Sequence, residues 1–388
     1  MTGLSAHPQG RAMFWLVGVS FLLMGVVQAS YGPSFPGFQA RFRVGEAEVA
    51  RIYTATFVAM FLSVLVSGPI TRRLGPRASL QAALALMLLG AALMWLGLGW
   101  PLVLTGALVV GLGYGLMTVV GNVSLARIGA RAGLNLVNAL FGLGSIVAPL
   151  AVAWLAPRGV TLLYGLLAGA LLAVAFFSRA FPARLDADPG EAARIQRLPW
   201  RTLGLFNALM LLYVALETST SGWMARSLTP GFGLTRATAL VSAFWIAFTL
   251  GRVLSAPLAQ RVAPGRLAAV SLALCVVFAL GSALPALRLP AYVLLGFSMS
   301  PVYTAAVAWL VRRVPERFVN LGLLGTGFGA AFGPPLVGLL LAHFGLGAVP
   351  LALAGDAALG LLVVWGVSAS RPETGPASGP QGAHRLDV

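Results

Sequence analysis

Twelve stretches of roughly twenty apolar residues follow one another along this chain, and they decide what it can become. A helix rising about 1.5 Å per residue needs about 20 residues to cross a hydrocarbon core of about 30 Å. The runs lie near 12–31, 49–70, 79–98, 101–124, 132–155, 159–180, 203–225, 238–259, 267–287, 290–311, 319–343 and 347–368. Stretches such as Leu80–Leu98 are apolar on every side, whereas strands of a membrane barrel alternate over about ten residues. Only 9% of the 388 residues are charged, against about 25% in soluble domains, which is too few to cover a water-facing surface. A soluble enzyme, a disordered protein and a DNA-binding protein are all disfavoured. The expectation is an all-α membrane protein of twelve spans. Arg11 ahead of the first run resembles the start of a signal peptide, but the run is long for one and eleven spans follow, so it reads as a retained helix.

The charges say which way the chain threads. All 26 basic residues are Arg, with no Lys, which excludes Schiff-base chemistry and a phosphate-binding P-loop. One cysteine, Cys275, and three histidines allow neither an internal disulfide nor a clustered metal site, so no metal, no cofactor and no enzymatic activity are expected. The net charge of +16 would suit nucleic acid if it were clustered, but it is dispersed by side. Nineteen Arg fall in the two tails and in alternate loops, among them Arg72, Arg73, Arg77, Arg127, Arg131, Arg179, Arg261 and Arg312, and seven fall on the opposite side. By the positive-inside rule both termini face the cytoplasm, across the cytoplasmic membrane. The partner of this surface is the lipid bilayer, not nucleic acid.

The longest polar break, Ser178–Arg201, separates six spans from six. The reading divides the chain into residues 1–180, a first six-helix bundle; 181–201, a central loop; 202–370, a second six-helix bundle; and 371–388, a disordered tail rich in Pro, Gly and Ser. The halves repeat one another. Ser67, Pro69, Arg73 and Pro76 recur at the same spacing as Ser255, Pro257, Arg261 and Pro264, and Gly142, Gly144 and Pro149 recur as Gly327, Gly329 and Pro334. Small residues let helix backbones approach and slide, and repeated halves of this kind are a transporter architecture.

On these features the sequence resembles the major facilitator superfamily over about residues 12–368. The loop after the second span, Gly68-Pro-Ile-Thr-Arg-Arg-Leu-Gly-Pro-Arg77, is similar to that superfamily's loop motif, with Thr71 where an Asp is usual. The seventh span, Tyr213-Val-Ala-Leu-Glu217 continuing to Gly222-Trp223, is similar to the pattern of the fucose:proton symporter-like sugar transporters. Tyr31-Gly-Pro-Ser-Phe-Pro36 fits the same group. Those relatives carry an Asp near Thr118 and a His near Asn138, both replaced here. The resemblance implies two pseudo-symmetric six-helix bundles, a cavity lined by spans one, four, seven and ten, and an inner gate at Gly68, Arg72, Arg73, Gly75 and Arg77. Arg252 either joins that gate or snorkels to phosphate headgroups.

Two acidic residues fall inside the apolar runs, Glu217 and Asp356. An ionised side chain at mid-bilayer costs about 2.5–3.5 kcal/mol on insertion scales, so such a residue persists neutral, paired or facing water. Tyr213, Glu217 and Ser221 share one helix face, and Glu217 there can bind and release a proton, or serve as a protonated carboxyl bonded to a neighbouring helix. Asp356 suits a structural role or a pairing with His343. Around Glu217 the expected solute-binding residues are Gln28, Tyr31, Tyr114, Thr118, Asn122, Asn138, Tyr213, Ser221, Trp223, Trp245 and Tyr303. Amides and hydroxyls match a polyol, and aromatic rings match the apolar face of a sugar. The leading expectation is a monomeric, proton-coupled secondary transporter of a small neutral solute, a sugar or polyol. The alternatives are a proton-antiport exporter of lipophilic compounds and a sodium-coupled or uncoupled carrier.

Overall fold

The computed structural model describes residues 8–127, 131–183 and 198–370. The central-loop residues 184–197 and the tail 371–388 lie outside it, as do Arg184, Arg194, Arg197 and the acidic residues of both segments.

The long helices fall where the apolar runs place them. They are α1 (Pro8–Phe42), a pair joined end to end over Arg51–Leu96, α4 (Trp100–Arg127), α5 (Arg131–Leu155), α6 (Leu162–Phe177), α7 (Trp200–Phe232), α8 (Leu234–Arg261), α9 (Pro264–Gly281), α10 (Arg288–Val311), α11 (Gly325–Phe344) and α12 (Ala348–Ala369). The 46 residues of Arg51–Leu96 are far more than one crossing needs. The chain reverses at Gly75, whose φ of 79° lies in the left-handed region, giving α2 (51–74) and α3 (76–96) and twelve crossings in all. The first helix runs past its expected end at residue 31 to Phe42 and carries Pro33 and Pro36 within it. Proline is tolerated there because neighbouring helices shield the backbone it unpairs.

Several arginines close helix ends. Arg41 Nη2 donates to Gly97 O at 3.1 Å, Arg158 Nη1 to Trp154 O at 2.8 Å, Arg288 Nε to Ser282 O at 3.1 Å, and Arg313 Nη1 to Ser370 O at 2.7 Å. The last carbonyls of a helix have no partner within it, and a cation there also meets the negative end of the helix dipole.

The helices form two six-helix bundles packed in the same way. Within the first, α1 lies on α5 and α3 on α6; within the second, α7 lies on α11 and α9 on α12. The repeated glycines make this possible. A Cβ on Gly144 would strike the Leu22 carbonyl of α1, and one on Gly329, its repeat, would strike the Leu211 carbonyl of α7. Between bundles, α2 meets α11, α5 meets α8, and α1 meets α7.

Those inter-bundle contacts are concentrated at one end. Thr54 Oγ1 donates to Ala331 O at 2.7 Å, and Ser242 Oγ donates to Ile146 O at 2.7 Å. Ala331 stands three residues before Pro334, as Ile146 stands three before Pro149, so one hydrogen bond is repeated in both halves. The Trp223 ring, held by a hydrogen bond from its Nε1 to Pro334 O at 2.9 Å within its own bundle, lies 5.0 Å from that of Phe35 across the interface. Arg226 pairs with Glu46 at 3.4 Å. A Cβ on Gly32 of α1 would collide with the Gly222 backbone of α7. At the end that carries the Gly68–Arg77 turn, Arg72, Arg73, Val253, Leu254 and Leu258 are exposed. The Thr54 and Ser242 hydrogen bonds and the Arg226–Glu46 ion pair thus fasten the bundles at the end away from that turn.

Candidate functional site

Glu217 lies midway along α7 and is 8% exposed. Its carboxyl is within electrostatic reach of Tyr213 on its own helix, Arg252 on α8 and Tyr303 on α10. From the first bundle Tyr53 on α2 and Tyr114 on α4 also reach it. It thus sits where the two bundles face each other. The Arg252 guanidinium does not close on it: Arg226–Glu46 is the one ion pair among the described residues. Instead Arg252 Cζ rests 4.4 Å from the centroid of the Phe248 ring, a cation–π contact. The rings of Tyr213 and Tyr303 lie 6.1 Å apart, tilted by 41°.

One wall of this region carries polar atoms that the protein leaves unpaired. The Tyr213 hydroxyl, Arg252 Nε and Trp245 Nε1 are all buried and have no hydrogen-bond partner among the described residues. Buried polar groups nearly always find a partner. Ser242, Trp245, Thr249 and Arg252 follow at helical spacing along one face of α8. That face looks across at the first bundle: Ser242 bonds to α5, and a Cβ on Gly142 would sit 3.4 Å from Thr249 Oγ1. Two N–H donors and a phenol therefore converge with a carboxyl. Such a wall can satisfy a solute rich in hydroxyls.

The opposite wall is partly satisfied already. Tyr114 donates to Gln28 Oε1 at 3.0 Å, and Tyr31 shares a 2.9 Å hydrogen bond with Thr56 Oγ1. Thr118 Oγ1 donates to the Tyr114 carbonyl at 2.8 Å, one turn back in its own helix. Asn122 is half-buried one turn further on.

Residues 16–324 match the sequence profile of the Major Facilitator Superfamily. The chain belongs to that superfamily. This facilitator is 22% identical over 348 residues to the glucose/mannose transporter GlcP of Bacillus subtilis (strain 168), covering 84% of this chain and 87% of that one. Its fold is also that of solved structures. The D-xylose-proton symporter aligns with a TM-score of 0.74 at 14% identity over 92% of this chain and 96% of that one. The nucleoside transporter NupG aligns at 0.72 and 14%, over 94% and 100%. The E. coli fucose:proton symporter FucP aligns at 0.63 and 20%, over 92% and 98%. The facilitator is a multi-pass membrane transport protein, as its twelve crossings require.

Several expected site residues stand elsewhere in the facilitator. Trp223 is fully buried between Phe35 and Pro334 and in this state belongs to the closed end rather than to a solute wall. Trp245 is 2% exposed, its ring edge-on to Phe244 and Phe248; only its N–H remains available. The Ser221 hydroxyl bonds to Thr218 O at 3.3 Å within α7. Asn138 is exposed, and the Asn135 side chain lies outside the described residues. Arg252 lies beside Glu217, Tyr213 and Tyr303, its position on the α8 face turning it inward rather than toward headgroups.

The motif itself holds α3 to α6. Arg77 Nε donates to Phe181 O at 2.5 Å and Gln81 Nε2 to Ser178 Oγ at 3.2 Å. Arg72 and Arg73 are exposed, and the atom nearest a Cβ on Gly68 is Arg72 Nη1, at 3.6 Å. Asp356 does not pair with His343, whose Nδ1 lies 2.8 Å from Leu339 O in its own helix.

Proposed function

We propose that this facilitator moves a small neutral, hydroxyl-rich solute, a sugar or polyol, across the cell membrane by alternating access. Protons couple to it through Glu217. The observation that carries this reading is a buried carboxyl at the bundle interface, surrounded by tyrosines and not ion-paired with the guanidinium beside it. A carboxyl in such a place can change its protonation, and a change there is felt by both bundles. The orphan N–H and O–H groups of α7 and α8 suit hydroxyls, and sugars are what the names of GlcP, FucP and the D-xylose symporter give for those proteins.

The arginine distribution orients the end with the Gly68–Arg77 turn, with both chain termini, toward the cytoplasm, so the fastened end is the outer one. Rocking of the bundles would break the contacts at Thr54, Ser242 and Trp223 and expose the site on the other side. A proton on Glu217 favours loading from outside, and its loss to the cytoplasm favours return.

Purified protein in proteoliposomes tests this directly. Glu217→Gln is expected to abolish sugar accumulation driven by a pH gradient while leaving sugar exchange in the absence of a gradient. Accumulation equal to wild type would remove Glu217 from coupling. Transport of lipophilic cations with indifference to sugars would replace the reading with an exporter.

A further inference from the structure

Arg252 rests on the Phe248 ring and beside Tyr213, yet it makes no ion pair. Its Nε is buried without a partner, and it lies on the interface-facing side of α8 with Ser242, Trp245 and Thr249. A buried N–H of a guanidinium left without an acceptor calls for an explanation. We infer that Arg252 is a specificity-determining residue of the solute site, its guanidinium binding two adjacent hydroxyl groups of the sugar. The inference rests on the sugar reading above.

Three features support a paired contact. A guanidinium presents N–H donors in a planar fork, which meets two acceptors side by side, where an ammonium offers a single point. The Phe248 ring under Arg252 Cζ, at 4.4 Å, fixes the plane of that fork. The charge is balanced: Glu217 is the carboxylate within reach, and the other groups facing Arg252 are Tyr213 on α7 and Tyr303 on α10. Facing Glu217 from the first bundle are Tyr53 and Tyr114, again phenols. Asp356 sits on the α12 helix, which packs on α9 and α7, and is not among the groups facing Glu217 or Arg252. While Glu217 is ionised the cation is offset by one carboxylate, and an anion would then compete with Glu217 for the same fork.

The test is counterflow exchange in proteoliposomes, with glucose, mannose and the monodeoxyglucoses as competitors, for wild type and Arg252→Lys. In wild type, deoxy analogues lacking either of two neighbouring hydroxyls should bind about tenfold or more weakly than the parent sugar. Arg252→Lys keeps the charge opposite Glu217 and should weaken the parent sugar while levelling the profile at those two positions and preserving it at the others. The inference is overturned if the lysine variant keeps the wild-type profile. It is equally overturned if the wild-type profile shows no sensitive adjacent pair, a result independent of whether any variant folds. Absence of sugar exchange by wild type is a different failure: it refutes the proposed function, and this assignment with it.

Discussion

The two ends of the interface between the bundles are built from different material. At the closed end, small residues, buried aromatic rings and hydroxyl donors meet backbone carbonyls: Gly32 on Gly222, Phe35 on Trp223, Thr54 on Ala331, Ser242 on Ile146. At the other end stand the exposed Arg72 and Arg73. Within each bundle the glycine contacts, such as Gly144 on α1, are as close as Gly32 on α7, but they join helices that travel together. Contacts of the same kind therefore have two different jobs. Those inside a bundle set stability, and those between bundles set which end is shut.

This distinction can be broken experimentally, beginning with the largest expected effect. Gly144→Ala places a methyl against the Leu22 carbonyl, a backbone atom that cannot give way. It should lower the thermal stability of the purified protein by the equivalent of about 1–3 kcal/mol or more, read as a fall in melting temperature. Gly32→Ala meets the Gly222 backbone only while the two bundles touch. It should leave the melting temperature nearly unchanged and shift the conformational balance roughly ten- to a hundredfold. The shift is read from maleimide labelling of Ser221→Cys, buried on α7 against Tyr53 of the first bundle, in a Cys275→Ser background. Equal melting losses for the two variants would erase the distinction.

Smaller effects sharpen it. Trp223→Phe removes the hydrogen bond to Pro334, which joins α7 to α11 inside the second bundle, and should lower the melting temperature by the equivalent of about 0.5–1.5 kcal/mol while leaving labelling nearly unchanged. Glu46→Gln removes a partly exposed ion pair whose side chains are 25% and 36% exposed. Such a pair contributes at most about 1 kcal/mol, so labelling should rise slightly at low salt and match wild type near 1 M salt, where the Debye length is about 3 Å. A salt-independent effect would point to packing rather than charge.

Much of the fold was legible because a hydrocarbon core imposes a minimum apolar length, and the sequence meets it twelve times. The pseudo-symmetry was legible too. The repeated Gly142, Gly144 and Pro149 mark the α5 and α11 faces that approach neighbours, and the repeated hydrogen bonds at Ile146 and Ala331 follow from the same register. Two things escaped. The continuation of α1 through Pro33 and Pro36 reads locally as a break, because proline lacks an N–H; packing in the bundle overrides it. The placement of Arg252 and Trp223 depends on which helix faces meet, and that is settled by the partner bundle rather than by either helix alone. Arg252 reads as a cation near a helix end, and only the α5 contacts of Ser242 and Thr249 show that its face is turned inward. Thr118 was legible as a polar residue on α4, but its hydroxyl is consumed by its own backbone.

The paired links from Thr54 and Ser242 have a consequence for variation in this chain. Each ends on a main-chain oxygen, and no codon change can delete a main-chain oxygen. Mutational drift can weaken these fastenings only through the hydroxyl that reaches out, never through the residue that receives it. A substitution at Ala331 or Ile146 leaves the accepting oxygen in place, while loss of the hydroxyl at Thr54 or Ser242 removes the link outright.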